Sequence, residues 1–99
     1  MKPFYLYILR CGDGSFYVGH TDDLATRLEQ HENRTFGGYT ARRHPLTLVF
    51  VSEHTTRAEV LERERQIKGW SRAKKEALTQ GDWARLHDLA KETARRSAA

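Results

Sequence analysis

Apolar and polar residues along the chain change period several times, and each change marks an element. From Phe4 to Leu9 they alternate, which sets Phe4, Leu6 and Ile8 on one face of a strand and Tyr5, Tyr7 and Leu9 on the other. Phe16 and Val18 oppose Tyr17 and Gly19 in the same way, which predicts a second strand. An odd-length loop over Gly12 to Gly14 pairs residues whose numbers sum to an even value, so Tyr7 and Tyr17 become cross-strand neighbours on one face. The period then lengthens. Leu24, Ala25 and Leu28 predict a helix to about Asn33, with Asp22 or Asp23 as its N-cap, and Arg27 and His31 stack along the flank of its apolar stripe.

Leu46 to Val51 reads as a third, mostly buried strand. Thr56 and Glu59 fit a capping box, with the Glu59 side chain reaching back to the Thr56 amide, and open a helix that ends near Lys68 at Gly69. Ser71 caps a short helix through Leu78, closed by Gly81, and Asp82 caps a last one bearing Trp83, Leu86, Leu89 and Ala90, with a tail that frays from Thr93. The fold class expected is α/β of the α+β type: a three-stranded antiparallel sheet flanked by helices, with an extra C-terminal helix. Residues 1–82 form the domain, and residues 83–99 pack on it as helix and tail.

Ninety-nine residues suffice for one core but not for two. With 38% hydrophobic and 30% charged residues the composition is that of a globular chain rather than a disordered one. The first apolar run is too short for a signal peptide or a membrane span, which points to the cytoplasm. Cys11 is the only cysteine, so no intrachain disulfide forms, and the five histidines lack structural-zinc spacing.

The net charge of +4 is carried unevenly: residues 1–50 hold six Lys and Arg against five Asp and Glu, residues 51–99 eleven against eight. Between Arg63 and Lys75 the basic run, which includes Arg65, Lys68, Arg72 and Lys74, is interrupted by a single carboxylate, Glu64. It suits either a polyanionic partner or a solvated helix face. Residues 34–45 follow neither period and are punctuated by Gly37, Gly38 and Pro45 as a loop. This loop interleaves Phe36 and Tyr39 with Arg34, Arg42 and Arg43, a mix that either stacks bases and meets phosphates or packs the loop down.

Helical periodicity also separates the glutamates of the second helix. With Val60 as origin, Glu64 falls at about 40°, inside the apolar stripe with Ile67, whereas Glu62 falls at about 200°, towards water. A carboxylate on a core-facing stripe needs a partner, either a cation such as Arg27 in a buried salt bridge or a metal ion. A single carboxylate suits Mg²⁺ or Mn²⁺, which keep most of their waters.

Taken together, Tyr5-Leu6-Tyr7, Tyr17-Val18-Gly19 and the Arg27/His31 helix resemble the GIY-YIG nuclease family, in particular its small stand-alone bacterial members. Tyr5 stands where the first triplet usually has glycine. The resemblance covers about residues 3 to 80 and implies a divalent-metal-dependent phosphodiesterase acting on nucleic acid, DNA in preference to RNA, in DNA processing or repair. It implies Tyr7, Tyr17, Arg27, His31 and Glu64 as catalytic residues, with Glu64 the ligand of Mg²⁺ or Mn²⁺. Arg27 would meet charge on the phosphate, and Tyr7 or Tyr17 would position or deprotonate the water. Gly19, which leaves room for a ligand near the backbone, and His20, Tyr39, Arg42, Arg43, Lys68, Arg72 and Lys75 complete the nucleic-acid-binding set. Some relatives add a downstream asparagine, whereas Asn33 is the only asparagine here. The alternatives are a non-catalytic nucleic-acid-binding domain on the same scaffold and a protein-interaction module whose tyrosines are core.

Overall fold

The structure is a computed structural model that describes residues 2–35 and 38–98, with side chains through residue 91. Its elements are β1 (Phe4–Arg10), β2 (Phe16–Thr21), α1 (Leu24–Glu32), β3 (Thr47–His54), α2 (Arg57–Lys68), α3 (Arg72–Thr79) and α4 (Trp83–Ala98). These divide into two compact units, 1–68 and 69–99. In the second unit Ser71 caps α3 through the Lys74 amide and Asp82 accepts from the Arg85 amide. There α3 and α4 pack on each other. Helix α4 runs on past Thr93, where fraying was expected, because the sequence there contains no glycine or proline to stop it.

The first unit is built on an antiparallel sheet of order β2-β1-β3. As the central strand, β1 is covered on both faces: Leu6, Tyr7, Ile8 and Leu9 are all buried. Register assigns Leu6, Ile8, Val18, His20, Ser52 and His54 to one face and Tyr5, Tyr7, Leu9, Tyr17, Gly19 and Val51 to the other. Helix α2 packs against all three strands, contributing Val60 and Ile67 to the core. Helix α1 lies on the Tyr7 face, where Leu28 and His31 line a small cavity with Leu9. Its N-cap is Asp23, which accepts from the Thr26 amide at 3.2 Å.

Three local expectations change. Strand β3 is not mostly buried: it begins at Thr47, extends to His54 and, as an edge strand, leaves Leu48 and Val51 exposed. Thr56 does cap α2 by accepting from the Glu59 amide at 3.1 Å, but the Glu59 carboxylate turns to His54 Nδ1 at 2.9 Å instead of the Thr56 amide. His54, at the end of β3, stands within reach of the carboxylate and takes the place of the Thr56 amide as its partner. The hairpin keeps the expected even-sum pairing, yet Tyr7 stands directly opposite Gly19 and Tyr17 opposite Leu9, so the tyrosines meet on the diagonal.

That register explains Gly19. A Cβ there would lie 2.6 Å from both Cζ and Oη of Tyr7, so the phenol occupies the space a side chain would take. The sequence predicts room for a ligand at Gly19, but Gly19 is buried beneath Tyr7, whose phenol fills that space. Gly19→Ala should therefore cost about 1–3 kcal/mol of overpacking in urea unfolding, and the cost should shrink in a Tyr7→Leu background. Equal costs in both backgrounds would disconnect the glycine from the phenol.

Candidate functional site

On the α1 face four side chains from three elements converge. Tyr7 is fully buried, and its Oη lies 2.8 Å from His31 Nε2, across 24 residues of sequence. Tyr17, half-buried, packs at 6.3 Å from the Tyr7 ring and meets the edge of His31 at 5.2 Å, centroid to centroid. Arg27, one turn before His31, completes the group with a guanidinium that hydrogen-bonds the Tyr7 phenol. Burial, reinforced by neighbouring Tyr17, pushes the Tyr7 pKa up to about 12, against the opposing pull of Arg27. Tyr7 thus keeps its proton at neutral pH and is held as a hydrogen-bonding anchor. His31 is held below the ordinary histidine range, first by burial and then by the charge of Arg27 and by His44.

Glu64 is buried at 9% exposure, as the helical wheel predicts, while Glu62 is exposed. Its partners are not Arg27: His20 Nδ1 lies 2.7 Å from Oε2, and Lys68 Nζ 3.0 Å from Oε1. His20 belongs to the α2 face of the sheet, so Glu64 and the tyrosine cluster approach β2 from different sides. The Glu64 charge nevertheless acts on the Tyr7 phenol, raising its pKa. Glu64, Lys68, Leu61 and Arg65 line a cavity of about 280 Å³. Among the described residues no three His, Cys, Asp or Glu side chains gather as a metal cluster, so Glu64 is the one protein carboxylate at this position.

The loop after α1 is tied down on both sides. Arg43 lies over the Tyr39 ring at 3.7 Å, donates to the Tyr39 carbonyl at 2.8 Å and reaches Asp13 at 3.1 Å, while the Gly12 amide donates to the Arg43 carbonyl. Tyr39 in turn packs against Tyr17 at 6.1 Å. Arg43 therefore joins loop to hairpin, whereas Arg42 is exposed. Phe36 lies outside the described residues. Arg72, paired with Glu76 at 2.9 Å, and Lys75 belong to the second unit.

Three features escape the sequence reading. Thr40, at 3% exposure, places Oγ1 3.0 Å from His31 Nδ1. The Nε2 of His44 is buried without a hydrogen-bond partner among the described residues. His54 links Ser52, 2.9 Å from Nε2, to Glu59. The strand alternation that puts Ser52 and His54 on one face was available as a signal; the two loop residues had none.

A family model for the GIY-YIG catalytic domain matches residues 3–77. A UPF0213 protein of Staphylococcus saprophyticus is 41% identical over 75 residues, covering 76% of this chain and 92% of that one. Two solution structures are similar. One is the E. faecalis protein EF2693, at 35% identity, TM-score 0.59, and 82% and 86% coverage of this chain and that one. The other is a UPF0213 protein of Bacillus halodurans, at 37% identity, TM-score 0.53, and 79% and 83% coverage. No helix among the described residues is long and apolar enough to cross a membrane.

His31 also sets a pH dependence. Because its folded-state pKa lies below the ordinary value of 6.5, the unfolded chain takes up a proton first as pH falls. Stability that is complete above 6.5 is then lost as pH drops towards the folded pKa. His31→Gln should flatten the slope of unfolding free energy against pH below 6.5 by up to about 1.4 kcal/mol per pH unit. Chemical denaturation of both proteins between pH 4.5 and 7.5 measures it, and identical slopes would show that His31 does not titrate this way.

Proposed function

The chain belongs to the GIY-YIG family, and on that premise we propose that it is a divalent-metal-dependent phosphodiesterase that hydrolyses nucleic acid, DNA in preference to RNA. The observation that carries the reading is the Tyr7, Tyr17, Arg27 and His31 cluster, with a buried carboxylate, Glu64, whose charge bears on Tyr7.

Attack of water on phosphorus builds negative charge on the non-bridging oxygens. Arg27 meets that charge with a planar, permanently ionised fork, which its bond to Tyr7 helps to hold in place. Tyr17, at the open side of the cluster, orients the attacking water. Tyr7 and His31 stay buried and neutral behind it, excluding solvent and fixing the two groups in front. Glu64 fits a magnesium-type ion: it is the one carboxylate there, and one of its oxygens already holds a cation, Lys68, which at 56% side-chain exposure can turn away. An ion on Glu64 and water would supply charge neutralisation at the leaving oxygen. His20, on the other carboxylate oxygen, keeps Glu64 oriented.

One observation favours a second reading. Both Glu64 oxygens are occupied by His20 and Lys68, which also suits a structural ion pair in a domain that binds nucleic acid without cutting it. Substitution separates the two. Glu64→Gln, which removes the charge at nearly constant volume, should abolish metal-dependent cleavage of labelled single-stranded, duplex and branched substrates while leaving binding intact. Glu62→Gln should cut normally. Arg27→Lys keeps the charge but loses the fork and should lower the rate at least about tenfold, or ~1.4 kcal/mol, with a smaller loss in binding. Glu64→Gln with undiminished activity would overturn the metal assignment to Glu64, whereas a parent protein that binds these substrates and cuts none of them with Mg²⁺ or Mn²⁺ would leave the binding-domain reading in its place.

Binding should rest largely on phosphate contacts, so affinity falls with salt. Arg42→Ala is expected to reduce the slope of log K against log salt by about one, for all sequences alike. Arg43→Ala should instead lower the melting temperature, because Arg43 is committed to Asp13 and Tyr39. An unchanged salt slope in Arg42→Ala would take this part of the loop off the binding surface.

A further inference from the structure

Thr40 lies in the loop between α1 and β3, yet it is as buried as the core and touches His31, whose Nε2 meets the Tyr7 hydroxyl. A neutral imidazole carries one hydrogen, so one ring nitrogen of His31 donates and the other accepts. The neighbours decide which. A guanidinium can only donate, so Arg27 takes a lone pair of the Tyr7 oxygen, and the phenol, which keeps its proton, needs an acceptor for its own O–H. Among the described residues the acceptor at hydrogen-bond distance is His31 Nε2, at 2.8 Å, and Nε2 can accept only when the hydrogen sits on Nδ1. At Nδ1 stands Thr40 Oγ1, at 3.0 Å, with a lone pair to receive it.

We propose that Thr40 is a positioning residue: by accepting the Nδ1–H of His31 it fixes the imidazole tautomer, directs the Tyr7 hydroxyl hydrogen towards Nε2 and leaves the Tyr7 oxygen to orient Arg27. The hydrogen bonds then run in one direction, Arg27 to Tyr7 to His31 to Thr40. The loop after α1 thereby holds the inner end of the relay whose outer end is the phosphate-binding guanidinium. The catalytic consequence rests on the hydrolase reading above; the tautomer does not.

The test uses the full chain, uniformly labelled with ¹⁵N, and two variants. Thr40→Val is nearly isosteric without the acceptor, and Thr40→Ser keeps it. Two-bond ¹H–¹⁵N correlation of the imidazole rings near pH 7 should show His31 with a protonated Nδ1 and an unprotonated Nε2 in the parent and in Thr40→Ser. In Thr40→Val that pattern should give way to the other tautomer or to a mixture. With metal present, Thr40→Val should lower kcat about tenfold with little change in KM, and Thr40→Ser should restore it. A parent protein whose His31 carries its hydrogen on Nε2 overturns the proposal without any variant, as does a Thr40→Val protein that keeps the Nδ1–H form or cuts at the parental rate. A parent that shows the Nδ1–H tautomer but cuts none of the substrates defeats the hydrolase reading instead and leaves the tautomer assignment supported.

Discussion

A phenol packed against a glycine is the constraint from which the rest follows. With Tyr7 opposite Gly19, the ring fills the gap left by the missing side chain, and the hydroxyl ends in the interior of the sheet–α1 layer. A buried hydroxyl without partners costs several times what one hydrogen bond contributes. The fold answers with His31 on one side and Arg27 on the other, four residues apart on one helix flank. Burying His31 raises the same demand at its second nitrogen, and Thr40 meets it. Each satisfied group thus creates the requirement for the next, and the result is a connected polar network inside an apolar layer.

The carboxylate on the opposite helix obeys the same rule by another route. Glu64 sits beside Val60 and Ile67 at a cost that its pairing with His20 and Lys68 must offset. His20 is half-buried and held by β2, whereas Lys68 is a surface side chain one turn along α2, so the two oxygens of Glu64 differ in how firmly they are occupied. The difference leaves one oxygen exchangeable and the other fixed. An oriented carboxylate with one labile cation partner is what a weakly held, water-rich ion would require.

Much of this was legible in the residues, because it depends on period. Alternation in β1 and β2, the helical spacing of Arg27 and His31, and the angular position of Glu64 are all consequences of regular geometry, and the fold preserves them. What was not legible depends on long-range choice. Glu59 had two partners within reach and took His54, a decision made by where β3 ends. Val51 and Leu48 read as core because apolar runs do not reveal whether a strand is central or at the edge. Gly19 showed that something approaches closely but not what does, and Thr40 sits in a segment without period, where spacing carries no information.

The Tyr7–His31–Thr40 chain joins a strand near the start of the sequence to a helix and to a loop beyond it. None of its bonds can form in an isolated hairpin or an isolated helix. Until the sheet, α1 and the loop have come together, the phenol and the imidazole have no fixed partners, and closing those intervals of chain costs entropy before any contact returns it. The polar network therefore completes itself only as the sheet, α1 and the loop come together, and it loosens wherever one of them parts from the others. Amide hydrogens around Thr40 would exchange through local opening well before those of β1, making this loop a natural early reporter of unfolding.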